Sequence, residues 1–262
     1  MKTELEFILP EWPAPANIHV YSTTRLNGLS QGVYAGLNLA LHVGDNAQTV
    51  EKNRAFLSEA LCLPGDPVWL NQVHHATAIN ASAQQNNSLE KTPLDADASF
   101  SFKANHVCVV MTADCLPLLI CNRKGDKVAA IHAGWRGLAE GVIESSITAL
   151  HESPEQLLVW LGPAIGPQAF EVGEEVRNAF IAKFANATCA KVTPELVKSY
   201  FVQNRAGHYL ADIYQLARLA LNVMGIESVY GGEHCTFNDV DHFYSFRRDG
   251  TTGRQASLIW FS

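Results

Sequence analysis

Three apolar runs, at 107–111, 118–121 and 128–131, follow one another with very little chain between them, and that spacing limits the fold more than any other feature. Val107-Cys108-Val109-Val110-Met111, Leu118-Leu119-Ile120-Cys121 and Val128-Ala129-Ala130-Ile131 have the composition of buried strands. The intervening 122–126, Asn-Arg-Lys-Gly-Asp, is a turn sequence far too short to hold a crossover helix. The second and third strands are therefore expected as an antiparallel hairpin, which argues against a purely parallel sheet. Beyond them Leu138, Val142, Ile143, Ile147 and Leu150 recur at helical spacing up to Pro154. Further helices are expected near Thr49, near Gly173 and from Asp212, which can cap a helix with Ile213, Leu216, Ala220 and Val223 on one face and Gly225 at its stop. A last strand is expected over 256–260. These elements make an α/β (α+β) fold whose strands are mainly not in βαβ order.

With 262 residues, 47% of them apolar and 17% charged, the chain can bury a substantial core as one large domain or two small ones. A formal net charge of -7 disfavours a non-specific nucleic-acid or anionic-membrane surface. The stretch 1–15 holds Glu4, Glu6 and three prolines instead of the apolar core of a signal peptide. No run approaches the roughly 18 apolar residues of a membrane span. The six cysteines include no CxxC pair and read as reduced, most of them as small core residues. A cytoplasmic protein, a monomer or weak homodimer without nucleic-acid or membrane partners, is expected. The polar segment 82–92, with Gln84, Gln85, Asn86, Asn87 and Ser88, reads as a surface loop.

His74, Cys115 and His132 each stand beside a strand-end or turn sequence. If they converge, two imidazoles and a thiolate make three corners of a tetrahedron and leave the fourth open, the pattern of a catalytic zinc site. Each residue also has a plain structural reading. Cys115 suits a small core position, like Cys62, Cys108, Cys121 and Cys189, and either histidine suits a hydrogen-bonded strand end. If 68–74 is a strand, His74 and His75 point to opposite faces, and both faces carry apolar residues, so periodicity does not choose between them. Gln72 and Asn71 are amides suited to supporting a ligand or a substrate. Gly134 permits close approach, Trp135 offers a stacking wall, and Arg136 a fork of donors. The cluster Arg247, Arg248 and Arg254, and Arg25 in Thr23-Thr24-Arg25, are places where an anion would dock or where surface ion pairs would form.

The strings Thr112-Ala113-Asp114-Cys115-Leu116-Pro117 and His132-Ala133-Gly134-Trp135-Arg136-Gly137 are highly specific. With Gly36-Leu37-Asn38-Leu39, Asn71-Gln72-Val73-His74, Gly162-Pro163-Ala164-Ile165-Gly166-Pro167, Glu171-Val172-Gly173 and 244–254, the chain resembles the bacterial laccase-domain, or multicopper polyphenol oxidoreductase, family. That family is also read as one of purine nucleoside phosphorylases and adenosine deaminases. The resemblance implies a single catalytic domain over 1–262, a compact sandwich with a mixed sheet and flanking helices that is related to a class of cysteine hydrolases. It implies zinc held by His74, Cys115 and His132, and adenosine, inosine or methylthioadenosine as substrate with phosphate. The family usually has glycine where this chain has His75, a bulkier side chain and a rival ligand.

On this reading a bound zinc ion activates water for attack at C6 of adenine, or phosphate attacks the ribose C1′. Arg25, Arg136 and Arg247 are the phosphate candidates, Asn38 and Gln72 further substrate contacts, and Trp135 or Phe246 a face for the base. Copper-dependent phenol oxidation is a rival that the chain supports poorly, because multicopper laccases use paired His-X-His elements and this sequence has none. Copper remains an in vitro substitute for zinc. A metal-free Cys115/His132 hydrolase acting in peptidoglycan precursor editing is a second rival. A purely structural zinc is a third, and it needs His75 or Cys235 as fourth ligand.

Overall fold

A computed structural model describes residues 4–83, 93–185 and 192–262. Most of the polar segment 82–92, and Cys189, lie outside the described residues. The structure is a mixed α/β fold in which two sheets pack face to face and helices cover their outer surfaces. The larger sheet has six strands in the order Val229–Gly231, Leu157–Leu161, Leu116–Asn122, Val128–Ala133, Ala98–Ser101 and Ala78–Asn80. Its outermost pairs are parallel and its inner pairs antiparallel. The hairpin joins Leu118 opposite Ile131 and Cys121 opposite Val128, as the short connection requires. The second sheet is antiparallel, in the order Phe7–Ile8, Ile18–Thr23, Gln255–Phe261 and Cys108–Thr112.

The central strands have no polar face because both of their faces are covered. Leu119, Cys121, Val128, Ala130, Leu158 and Trp160 meet Val20, Cys108, Val110, Ile259 and Phe261 between the sheets. Leu118, Ile120, Ala129, Ile131, Val159 and Leu161 face the helices Val142–Leu150, Glu174–Phe184 and Ile213–Val223 on the other side. This explains why the sequence shows continuous apolar runs instead of alternation. The outer face of the second sheet, with Val109, Met111, Leu258 and Trp260, packs on Leu57 of the helix Ala47–Ala60 and on Leu37 and Leu39. No helix among the described residues is long and apolar enough to cross a membrane.

Three local expectations differ from the structure. The helix expected through Leu138 and Leu150 is two helices, Trp135–Glu140 and Val142–Leu150, broken at Gly141 where φ is 103°. Side-chain periodicity alone does not register a single backbone reversal. The strand ending near Ile131 continues to Ala133, so His132 is a strand residue. Over 68–74 only Leu70–Asn71 is a strand, and His74 has φ 64°, so an alternating pattern does not apply to it.

A candidate metal centre

Cys115 lies where the chain leaves one sheet and enters the other. The strand Cys108–Thr112 belongs to the second sheet and Leu116–Asn122 to the larger one, and Ala113-Asp114-Cys115 makes the crossing. Asp114 has φ 103°, a left-handed conformation that costs a residue with a Cβ about 1–3 kcal/mol and persists where neighbours hold it. Its carboxylate accepts from the Thr236 hydroxyl at 2.7 Å and from the Arg247 backbone N–H at 2.6 Å, which fixes the turn. His132 is buried near the end of its strand. Gly134 follows, and a Cβ there would lie 2.7 Å from His74 Cδ2 and 3.1 Å from Cys115 Sγ, so only glycine lets the chain pass this close.

Asp97, which the sequence does not single out, organises the two histidines. Ala98 pairs with Ile131, and the next step of that register sets Asp97 beside His132, whose backbone N–H donates to the Asp97 carbonyl at 2.7 Å. The Asp97 carboxylate is fully buried and takes the His132 Nδ1–H at 2.7 Å. It also accepts the backbone N–H groups of Val73 at 3.2 Å, His74 at 2.9 Å and His75 at 2.8 Å. One carboxylate thus fixes the tautomer of His132, leaving Nε2 for the site, and pins the loop that carries His74. A signal was present in the sequence: an acidic residue directly before an apolar run that becomes a buried strand has to find partners.

The structure brings His74, Cys115 and His132 together, with one ligand atom from each lying within 4.8 Å of the others. Cys115 Sγ is 3.8 Å from His74 Nε2. Bond lengths of about 2.3 Å to sulfur and 2.0 Å to nitrogen at a tetrahedral angle give roughly 3.5 Å, so the donor set fits one first-row ion with small adjustments. Burial raises the Cys115 thiol, but the charge and hydrogen bond of His132, and those of His74, outweigh it and the net shift is downward. For His132 burial opposes the charged form, while Cys115 and Asp97 favour it and carry the shift upward. Burial likewise raises Asp97, and His132 with the N–H groups of His75 and His74 brings it below its usual range. The metal-free site is biased toward a thiolate beside an imidazolium.

The other expected residues are placed unevenly. Gln72 is engaged by the scaffold: its amide donates to Met111 O at 2.7 Å and accepts Met111 N–H at 2.8 Å, taking the place of a strand partner. Asn38 is fully buried, bonded to Asp45, to Ala40 and to the Arg254 N–H. Arg25 donates to Val240 O and Ala35 O and lies 4.6 Å above the Tyr244 ring. Arg247 donates to Glu171 O through Nη1. Arg136 is exposed, with its guanidinium 4.5 Å from the Trp135 ring centroid at the start of the helix that follows Gly134. His75 turns away to Glu140 at 3.0 Å, and Cys235 Sγ accepts from the Gly166 N–H at 3.2 Å; neither belongs to the ligand group.

A family model described as multi-copper polyphenol oxidoreductase laccase matches residues 19–262. The chain is 49% identical over 255 residues to the purine nucleoside phosphorylase YfiH of Escherichia coli, covering 97% of this chain and 98% of that one. To a purine nucleoside phosphorylase of Pseudomonas aeruginosa it is 48% identical over 256 residues, covering 97% and 98%. A solved structure of a Neisseria meningitidis protein matches with a TM-score of 0.88 at 45% identity, covering 98% of this chain and 99% of that one. YlmD from Geobacillus stearothermophilus matches with a TM-score of 0.83 at 29% identity, covering 94% and 92%.

Two outcomes follow from the position of Asp97 and the charge state of the pair. Replacing Asp97 by Asn is expected to weaken zinc binding about 10–100-fold, read by competition with a chelator. An unchanged affinity would mean that the carboxylate does not orient the ligands. Because the His132 pKa is raised, its proton must be displaced when a metal binds, so the apparent zinc affinity rises with pH through the neutral range. Calorimetry in buffers of different ionisation enthalpy should detect proton release, and its absence would contradict the imidazolium assignment.

Proposed function

The chain belongs to the multi-copper polyphenol oxidoreductase laccase family, and on that premise we propose that it is a zinc-dependent purine nucleoside phosphorylase acting on adenosine, inosine and methylthioadenosine, with adenosine deamination as a second activity. What carries the proposal is the meeting of His74, Cys115 and His132 in a chain 49% and 48% identical to proteins named purine nucleoside phosphorylases. The family's description points to several copper ions, but this trio is the one group of its kind among the described residues, which favours a mononuclear centre. Two imidazoles and a thiolate with an open fourth position suit catalytic zinc. The free cysteines fit a cytoplasmic setting.

When bound, zinc supplies a Lewis acid at the open position. The remaining work falls to the chain. Asp97 keeps the His132 proton on Nδ1, so that Nε2 faces the ion. Trp135, on the helix that starts beyond Gly134, offers a face for a purine ring, and Arg136 on it is free to meet an anion. The Arg247 N–H ties the segment carrying the exposed Phe246 to the Asp114 turn, which places a second aromatic face at the rim.

A metal-free hydrolase with Cys115 as nucleophile and His132 as base is favoured by one observation, the bias of that pair toward thiolate and imidazolium. A chelator separates the readings, since it abolishes the zinc enzyme and spares the hydrolase. The direct test is metal analysis of the purified protein followed by adenosine turnover with and without phosphate, resolving adenine, inosine and hypoxanthine. Stoichiometric zinc and phosphate-dependent release of adenine are expected, and Cys115→Ala should lose both while staying folded. Folded, zinc-loaded protein that turns over no purine nucleoside would overturn the proposal.

A further inference from the structure

Two arginines and a histidine from separate segments gather beside the metal-ligand trio, and none has a carboxylate within salt-bridge distance among the described residues. Arg54, on the helix Ala47–Ala60, donates through Nε to Leu39 O at 2.9 Å. Its Nη2 touches Met111 Sδ at 3.9 Å, and its guanidinium lies 3.8 Å from the Trp69 ring centroid. Arg254 directly precedes the last strand. Its backbone N–H donates to Asn38 Oδ1 at 3.0 Å and its carbonyl accepts the Leu39 N–H at 3.2 Å, so residues 38 and 39 hold both arginines. His42 follows on the turn Leu41–Val43 and is exposed. Met111, the residue under Arg54, is the one clamped by Gln72, two positions before His74.

The strand register places Arg254 against the centre, because its neighbour Gln255 pairs with Thr112, three residues before Cys115. Partial burial of its ring, then the charges of Arg254, Arg54 and His132, lower the His42 pKa. Burial also lowers Arg254, which the charges of Cys115 and Asp114 oppose. Arg254 Nη1 is engaged by the carbonyls of Thr252 and Gly253, but its Nε and Nη2 take no part in those bonds, and neither does Arg54 Nη1. None of these nitrogens is a buried orphan, so they reach solvent. The hydroxyls of Thr252 and Thr112 are buried without a partner on either side of this segment: Thr252 holds Arg254, and Thr112 pairs in register with Gln255. Concentrated positive charge and unengaged guanidinium donors are what an oxyanion of two charges would satisfy.

We propose that Arg254, Arg54 and His42 form the subsite for inorganic phosphate beside His74, Cys115 and His132. The subsite rests on the phosphorolysis reading of the same centre. There a phosphate oxygen forms a bond to the ribose C1′ as the C1′–N9 bond breaks. The bonding pair leaves with the purine, whose nitrogen takes up the proton that hydrogen phosphate brought. The two arginines hold the attacking dianion and offset its repulsion from the Cys115 thiolate, and the His42 imidazole adds an N–H donor. Arg25 and Arg247, whose donors are engaged by backbone carbonyls, are left with supporting roles.

The test uses zinc-loaded protein, inorganic phosphate binding by calorimetry, and the phosphate and inosine dependence of turnover, in Arg254→Gln, Arg54→Gln and His42→Gln. Losing a charge-assisted hydrogen bond corresponds to about tenfold or more, so each arginine variant should weaken phosphate binding and raise the phosphate KM by at least that factor, with the inosine KM nearly unchanged. The exposed His42 carries the test, with a smaller rise, if an arginine variant fails to fold by circular dichroism. Phosphate binding and phosphate KM at wild-type values in the folded variants would overturn the subsite and leave phosphorolysis standing. Binding that depends on these residues, in an enzyme that releases no base, would support the subsite and overturn phosphorolysis. If adenosine 5′-monophosphate but not inorganic phosphate depends on them, the group held is a nucleotide phosphoryl and the assignment to free phosphate is overturned.

Discussion

The Asp97 carboxylate is the constraint on which the rest of the centre depends. A fully buried carboxylate is costly unless its oxygens are occupied, and here one imidazole N–H and three backbone N–H groups occupy them. Hydrogen bonds to a charged group contribute about 1.5–3 kcal/mol each, enough to hold His74 at φ 64° and to decide which His132 nitrogen faces the ligand group. The same contacts join three segments that are far apart in sequence: the loop at 73–75, the residue before the strand Ala98–Ser101, and the strand Val128–Ala133.

The two-sheet architecture positions the third candidate ligand, Cys115, by a different device. Both sheets need the apolar chain between 108 and 122, so the chain must pass from one to the other, and it does so through the strained turn at Asp114. Thr236 and the Arg247 backbone secure that turn, and Cys115 sits at its exit against Gly134. A turn tied to the 245–249 segment on one side and to the larger sheet on the other has little freedom, and little reorganisation remains when an ion binds.

The hairpin, the mixed sheet and the helix from Asp212 were legible because continuous apolar runs, a five-residue turn sequence and a capping residue each leave a local mark. The backbone reversals at Gly141, His74 and Asp114 were not, since a positive φ at one residue does not alter side-chain periodicity. The three residues that converge, His74, Cys115 and His132, were visible through their short motifs. Asp97 was not, because its role lies in a cross-strand register that pairs 97 with 132 across a long gap. Arg54 and His42 were passed over for the related reason that they meet Arg254 only through the fold, by way of Asn38 and Leu39. His75, the departure from the family's glycine, is taken up by Glu140 and stands apart from the ligand group.

The measurement closest to the central claim is zinc-edge X-ray absorption on the metal-loaded protein. The geometry of His74, Cys115 and His132 predicts one sulfur at about 2.3 Å, two imidazole nitrogens at about 2.0 Å and one further light atom that exchanges with added ligand. Two sulfur scatterers, or a fourth protein ligand that no added ligand displaces, would contradict a catalytic centre held in place by Asp97.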